Sequence, residues 1–237
     1  MDSSRYPLRI EKAIIIGDIH GCSQALNALL EKLRPDSTAD RLIFLGDLFD
    51  RGPESWEVLQ TVKTLAASFG QRFTLLRGNH EDYLLQPNLS FFQRLMWDRV
   101  GRGATVVSFK AHGERMEDTA PWLKDHCQLF YRDAMIQCVH AGLMIAPIEV
   151  NDSQTIIHDH NVVLQNRYVG PITVVGHIAL DAPTYFTGDG KTIEKLSYGM
   201  WSPLPSHGII CIDTGCGKGG RLTAMIVEDN RYLLEMA

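Results

Sequence analysis

The sequence predicts an α/β protein in which two β-sheets pack face to face with helices outside. Three observations carry this reading. Short β-branched runs alternate with amphipathic stretches in the first third, strand-like runs crowd the last third, and no repeat, low-complexity tract or Pro/Ser-rich linker divides the 237 residues. A chain of this length can bury one large core, so residues 1–237 are read as a single domain.

Ala13 to Ile16 is an apolar run ending at Gly17 and reads as a buried strand. Ser23 to Leu33 carries Leu26, Leu29, Leu30 and Leu33 at helical spacing. Arg34-Pro35 closes that helix, because proline disfavours helical geometry in the residue before it. Leu42 to Leu45 is a second buried strand. Pro53 then opens a helix with Trp56, Leu59, Val62 and Leu65 on one face and Gly70 as its stop. Phe73 to Leu76 is a third strand, and the β-α-β-α-β order implies a partly parallel sheet covered by helices. Tyr83 to Phe130 reads as helical and irregular. Further strands are expected at Ala134–Val139, Ile172–Val175, Thr184–Phe186, Thr192–Leu196, Gly208–Ile212 and Leu222–Val227, with Asp189-Gly190 as a hairpin turn.

Composition narrows the function. Hydrophobic residues make up 45% and charged residues 22%, which is ordinary for a globular chain. With 23 Lys and Arg against 28 Asp and Glu, the net charge is -5. That balance argues against sequence-independent binding of a nucleic-acid duplex, which runs on neutralising phosphates. The five cysteines are an odd number with no C-x-x-C pair, against a disulfide framework or a structural zinc site. Met1 to Lys12 holds no apolar stretch resembling a signal peptide, and no run approaches the ~18 apolar residues of a membrane span. A cytoplasmic chain with no membrane partner is expected.

Three predicted strands run into unusual chemistry: Gly17-Asp18-Ile19-His20-Gly21, Gly46-Asp47-Leu48-Phe49-Asp50-Arg51-Gly52 and Arg77-Gly78-Asn79-His80-Glu81. Later strands add His140, in Val139-His140-Ala141-Gly142, and His177, in Val175-Gly176-His177. In open α/β sheets ligands gather at the carboxyl ends of strands. A single strand-end histidine is ordinarily structural. Asp, His, Asp, Asn, His and His together at such ends form a ligand set without thiolate, suited to hard and borderline ions such as Mn, Fe, Zn or Co.

These motifs resemble the phosphoprotein phosphatase branch of the calcineurin-like metallophosphoesterases, which is marked by G-D-x-H-G, G-D-x-x-D-R-G, G-N-H-E and H-A-G in that order. The family's closing motifs stand here as Gly176-His177-Ile178 and Ile212-Asp213-Thr214-Gly215, so the resemblance covers residues 13 to about 227. It implies two mixed sheets in a sandwich and a centre of two divalent ions, with manganese expected first. Carried over residue by residue, Asp18 and His20 hold one ion, Asp47 bridges, and Asn79, His140 and His177 complete the second. His80 becomes the leaving-group acid, tuned by Asp50, and Arg51 faces the phosphate. The nucleophile implied is a hydroxide on the metals, whose coordination lowers the pKa of water toward ~7, and no covalent intermediate is expected.

The family's Trp-x-Arg segment has its nearest match at Gln165-Asn166-Arg167, which offers Arg167 as a second phosphate contact. His158-Asp159-His160 reads as a solvated loop, and Gly215 to Gly220 as a flexible turn between strands that fails the P-loop pattern. His112, His126 and His207 read as surface or structural. Trp56 reads as core, whereas Trp97, Trp122 and Trp201 are candidates for a substrate surface. Gly101 to Thr105 matches a family segment only loosely and receives no role.

The primary expectation is a serine/threonine protein phosphatase acting on phosphorylated protein. The alternative is a symmetrical bis(5'-nucleosyl)-tetraphosphatase acting on a dinucleoside polyphosphate. The motifs do not separate the two. Chain length favours the first, because the nucleotide hydrolases that this chain resembles carry a longer insert after G-N-H-E. A catalytically silent phosphate-binding scaffold would require a lost ligand or acid, and the sequence retains them all.

Overall fold

The computed structural model describes residues 12–237, and the reading of the first eleven residues lies outside it. The first half alternates as expected: β1 (Ala13–Ile16), α1 (Ser23–Leu33), β2 (Arg41–Phe44), α2 (Ser55–Phe69) and β3 (Phe73–Leu76). Four helices follow, α3 (Asn79–Leu85), α4 (Phe91–Arg99), α5 (Arg102–Ala111) and α6 (Ala120–His126), and then the short strands β4 (Cys127–Gln128) and β5 (Phe130–Arg132). The remainder comprises β6 (Gln137–Val139), α7 (Ser153–His158), α8 (Asn161–Leu164), β7 (Thr173–Val175), β8 (Thr184–Phe186), β9 (Ile193–Lys195), β10 (Ser202–Pro203), β11 (Ile209–Cys211), β12 (Thr223–Glu228) and β13 (Arg231–Met236).

Two mixed sheets result. One has the order β10-β13-β12-β1-β2-β3-β4, with β1 to β4 mutually parallel and β12 antiparallel to β1. The other has the order β5-β6-β7-β11-β8-β9, with β6, β7 and β11 parallel. Alternation along the strands builds the layers. Ile14 and Ile16 face α1 and α2 with Leu26, Leu29, Val58 and Leu59, while Ala13 and Ile15 face Val174, Ile210 and Ile212 of the opposite sheet. Val139, Val175 and Cys211 turn outward onto Ile156, Ile157 and Val163 of α7 and α8. β1 is therefore fully buried on both faces. Each such Ile contributes about 1.5–3 kcal/mol relative to exposure, which is why the strand reads as a continuous apolar run.

One expected strand is shorter than its sequence implies, and one strand lies beyond those expected. The strand expected from Ala134 begins only at Gln137, because the Asp133 carboxylate accepts from the amides of Met135 (2.8 Å) and Ile136 (2.9 Å) and turns the chain there. β13 escaped notice because its hairpin with β12 turns at Asp229-Asn230, both left-handed (φ +48 and +57), without the glycine that usually marks such a turn. No helix among the described residues is long and apolar enough to cross a membrane, and the five cysteines are free.

Candidate metal centre

Both sheets present the carboxyl ends of their parallel strands to one rim. β1, β2 and β3 deliver Asp18, His20, Asp47, Asp50, Arg51, Asn79 and His80, and β6 and β7 deliver His140 and His177. Backbone bonds stitch the rim across the sheets. The His140 Nδ1–H donates to Leu45 O (2.8 Å), and the His177 amide donates to Asp18 Oδ2 (2.9 Å). His20, Asp47, Asp50, Arg51 and His177 all adopt left-handed φ, between +49 and +71. Such backbone costs of order 1–3 kcal/mol per residue and persists only where surroundings over-determine it. Glu81 is one of those determinants. Its buried carboxylate accepts from the amides of Asp47 (2.8 Å), Leu48 (2.8 Å) and Gly78 (3.0 Å), clamping the β2 loop to the start of α3.

The donor set converges. His20 Nε2 lies 3.5 Å from Asp47 Oδ2, and His140 Nε2 lies 3.5 Å from Asp47 Oδ1. On the second flank, Asn79 Oδ1, His140 Nε2 and His177 Nδ1 stand 2.9–3.1 Å from one another. His20 Nδ1–H donates to Phe49 O (2.8 Å) and His140 Nδ1–H to Leu45 O, so in both rings Nε2 carries the lone pair that faces the centre. Burial lowers the pKa of His20 and of His140 and pushes His177 down to about 2, which keeps all three imidazoles neutral, the form that binds a metal. Burial and the carboxylates of Asp213 and Asp47 drive Asp18 well above its usual range, and Asp18 Oδ1 and Asp213 Oδ2 are buried without a hydrogen-bond partner among the described residues. Lone pairs and carboxylates facing each other at these distances are stabilised by cations between them. The residues present therefore fit divalent ions, in two groups that share Asp47: His20, Asp47 and His80 on one flank, and Asp47, His140 and His177 on the other.

His80 also lies near Asp47 (Nε2 to Oδ2, 3.8 Å), but its environment differs. Its Nδ1–H donates to Asp50 Oδ2 at 2.6 Å. Burial alone would lower its pKa, but Asp47 and Asp50 outweigh burial and raise it, opposite to the other three histidines. Asp50 is itself held by Trp97 Nε1 (2.6 Å) and Thr105 Oγ1 (2.6 Å). Trp97, expected at a substrate surface, is 5% exposed and lies beneath the site instead. Thr105 sits in the Gly101–Thr105 segment that was given no role, and that segment's resemblance to the family was its only signal. Arg51 is half-buried, and its guanidinium touches His20 Nε2.

Other expectations fare differently. Arg167 is exposed and lines a small cavity with Leu143, Asp159, Gln165 and Tyr168, and none of the described hydrogen bonds or ion pairs joins it to the residues above. The Gly215–Gly220 turn does link β11 to β12, but it forms a 3₁₀ turn, and a Cβ on Gly217 would overlap His20. His158 ends α7 and is half-buried, and His160 is exposed as expected of a solvated loop, yet both histidines meet partners at the site. His160 Nδ1 lies 3.1 Å from His177 Nε2, and His158 Nε2 lies 3.0 Å from Asp82 Oδ2. Gly176 is required by close approach, since a Cβ there would overlap Asp18 Oδ1. Gly176→Ala is expected to fold yet lose one bound ion by displacing Asp18, and elemental analysis after metal loading, showing one ion per chain against two for the wild type, checks this.

Comparison with known proteins agrees with this architecture. The calcineurin-like phosphoesterase family profile matches residues 12–200. A curated relative from Coxiella burnetii, named a symmetrical bis(5'-nucleosyl)-tetraphosphatase, is 33% identical over 196 residues, covering 82% of this chain and 61% of the relative. The chain thus spans less than two thirds of the length of that relative. A protein of the same name from Photorhabdus laumondii is 26% identical over 273 aligned positions, covering 93% of this chain and 95% of the relative. Among solved structures, a Sphaerobacter thermophilus metallophosphoesterase superposes with a TM-score of 0.64 at 18% identity (95% of this chain, 88% of the other). A cold-active protein-tyrosine phosphatase from a Shewanella species superposes with 0.60 at 17% (98% and 82%). Profile, relatives and fold converge, and the chain belongs to the calcineurin-like phosphoesterase family.

Proposed function

We propose that residues 1–237 act as one domain hydrolysing phosphate esters or anhydrides with two divalent ions, manganese the first to test. The observation that carries this is the pair of ligand groups sharing Asp47, with the unpartnered Asp18 oxygen beside them. In this reading Asp18 and His20 hold one ion, Asn79, His140 and His177 the other, and Asp47 both. When bound, such ions lower the pKa of a coordinated water toward ~7 and neutralise phosphate charge. The chain supplies the rest. Asp50 fixes the His80 ring by its Nδ1–H, which leaves the Nε2 proton free for the departing oxygen. Arg51 offers a planar fork for two phosphate oxygens, with Arg167 as a further candidate contact. His80 is assigned as acid rather than ligand because Asp47 and Asp50 raise its proton affinity, whereas the Asp18 oxygen needs a partner.

For substrate, the relatives favour the alternative over the protein phosphatase: the curated matches from Coxiella burnetii and Photorhabdus laumondii are both named symmetrical tetraphosphatases. The substrate proposed is therefore a dinucleoside tetraphosphate, split into two nucleoside diphosphates. The length difference persists, since the Photorhabdus alignment runs over 273 positions against 237 residues here, but the names of the relatives outweigh it. The five free cysteines support a reducing, cytoplasmic setting. The test uses metal-stripped protein refilled with manganese and offered diadenosine tetraphosphate or a phosphoserine peptide, with products resolved. Faster release of two diphosphate nucleotides is expected. Faster peptide turnover would return the protein-phosphatase reading, and no turnover with two ions bound would favour a scaffold.

A further inference from the structure

The segment from α7 to His160 touches the elements that carry Asn79, His140 and His177. The Ala141 amide donates to Ile156 O at 2.7 Å, fixing the start of this strap to the His140 loop. His158 Nε2 meets Asp82 Oδ2 at 3.0 Å, and Asp82 belongs to α3, whose first residue is Asn79. Asp82 is in turn anchored by Arg77 (2.5 Å) and Gln86 (2.7 Å). The strap then ends against His177, with His160 Nδ1 at 3.1 Å and His158 O at 3.3 Å from His177 Nε2 and the two imidazoles 3.9 Å apart between centroids.

His177 needs such an anchor. It sits at φ +66, which disfavours an ordinary side chain, and it is only half-buried. Its Nδ1 faces Asn79 Oδ1 and His140 Nε2 and must keep its lone pair there, so its proton belongs on Nε2. An acceptor opposite Nε2 selects that tautomer and fixes the ring plane, as outer partners of metal-bound histidines do. The His158 carbonyl, at 3.3 Å, is longer than a typical N–H···O bond, so His160 Nδ1 is the better placed acceptor for an imidazole donor.

We infer that His160 is a positioning residue for the second metal: its Nδ1 accepts the His177 Nε2 proton and holds that ring in the ligand-competent tautomer. Because the strap touches the Asn79, His140 and His177 elements but makes no described bond to Asp18 or His20, its effect is confined to one of the two ions. The inference rests on the two-ion reading given above.

Calorimetric titration of metal-stripped protein with manganese alone tests it. For His160→Ala, one of the two ions is expected to bind about 10–100-fold more weakly, with the other unchanged and with the melting temperature of the metal-free protein unchanged. His160→Asn, whose side-chain oxygen can stand near the Nδ1 position, is expected to recover most of the loss. If the wild type binds two ions and His160→Ala matches it, or if His160→Asn is as weak as alanine, the positioning role is overturned while the two-ion reading stands. If the wild type itself takes up fewer than two ions, the two-ion reading falls and the inference falls with it.

Discussion

Replacing His80 with asparagine is expected to lower turnover by about 10²–10⁴-fold, the range for a lost general acid, while both ions remain bound. The size follows from where His80 stands. It is 1% exposed, its Nδ1–H is committed to Asp50 at 2.6 Å, and Asp47 and Asp50 together hold its pKa above the usual value despite burial. An imidazole whose hold on its proton is strengthened is thus built into the site beside Asp47. Asparagine keeps an N–H that can reach Asp50, so the buried carboxylate retains that partner along with Trp97 and Thr105 and the fold is preserved. What is lost is a transferable proton. The deficit should therefore grow with the basicity of the leaving oxygen, being small for a nitrophenyl phosphate and large for an alkyl phosphate. Steady-state rates on both, with metal content measured in parallel, check this. Equal losses on the two substrates, or variant turnover comparable to wild type on the alkyl phosphate, would remove His80 from the acid role.

The parts of this site legible in the sequence are those where a strand ends in glycine. β1 (13–16), α1 (23–33) and β3 (73–76) match their expected boundaries, because apolar period, proline and glycine punctuate them unambiguously. The motifs after β1, β2, β3, β6 and β7 all reach one rim because parallel strands share a carboxyl end. What stayed hidden acts through burial and long-range contact. Trp97 is one residue on a polar helix whose indole N–H reaches 47 residues back to Asp50, and Thr105 reaches 55 residues back. Glu81 appeared as the end of a motif, yet its work is to clamp the Asp47 loop 34 residues earlier. His160 lies in a polar stretch with no strand before it, and only the tertiary fold reveals its contact with His177.

Asp47→Asn is expected to abolish tight binding of both ions at once, because the two carboxylate oxygens serve different flanks: Oδ2 faces His20 and Oδ1 faces His140, each at 3.5 Å. An asparagine side chain has one oxygen and one N–H₂, so at least one flank would meet a donor where it needs an acceptor, and the bridging charge vanishes from both. The backbone should tolerate the change, since Asp47 sits at φ +51 and asparagine enters the left-handed region readily. Stability separates this outcome from simple unfolding. Asp47 crowds Asp18 and Asp213, and its charge raises the pKa of both. The surrounding histidines nevertheless hold Asp47 itself well below the usual carboxylate range, and its Oδ1 accepts from the His80 amide at 3.1 Å, so the relief at Asp18 and Asp213 is offset and the metal-free variant should stay folded and melt modestly below the metal-free wild type. Manganese at 100 times its dissociation constant should stabilise the wild type by about 2.7 kcal/mol per site and leave the variant nearly unmoved. Melting curves with chelator and with manganese, together with counted ions per chain, decide it. Two ions still tightly bound to the variant would show that Asp47 does not bridge, and a metal-free variant without a cooperative melting transition would show that its metal loss follows from a lost fold rather than from a lost ligand.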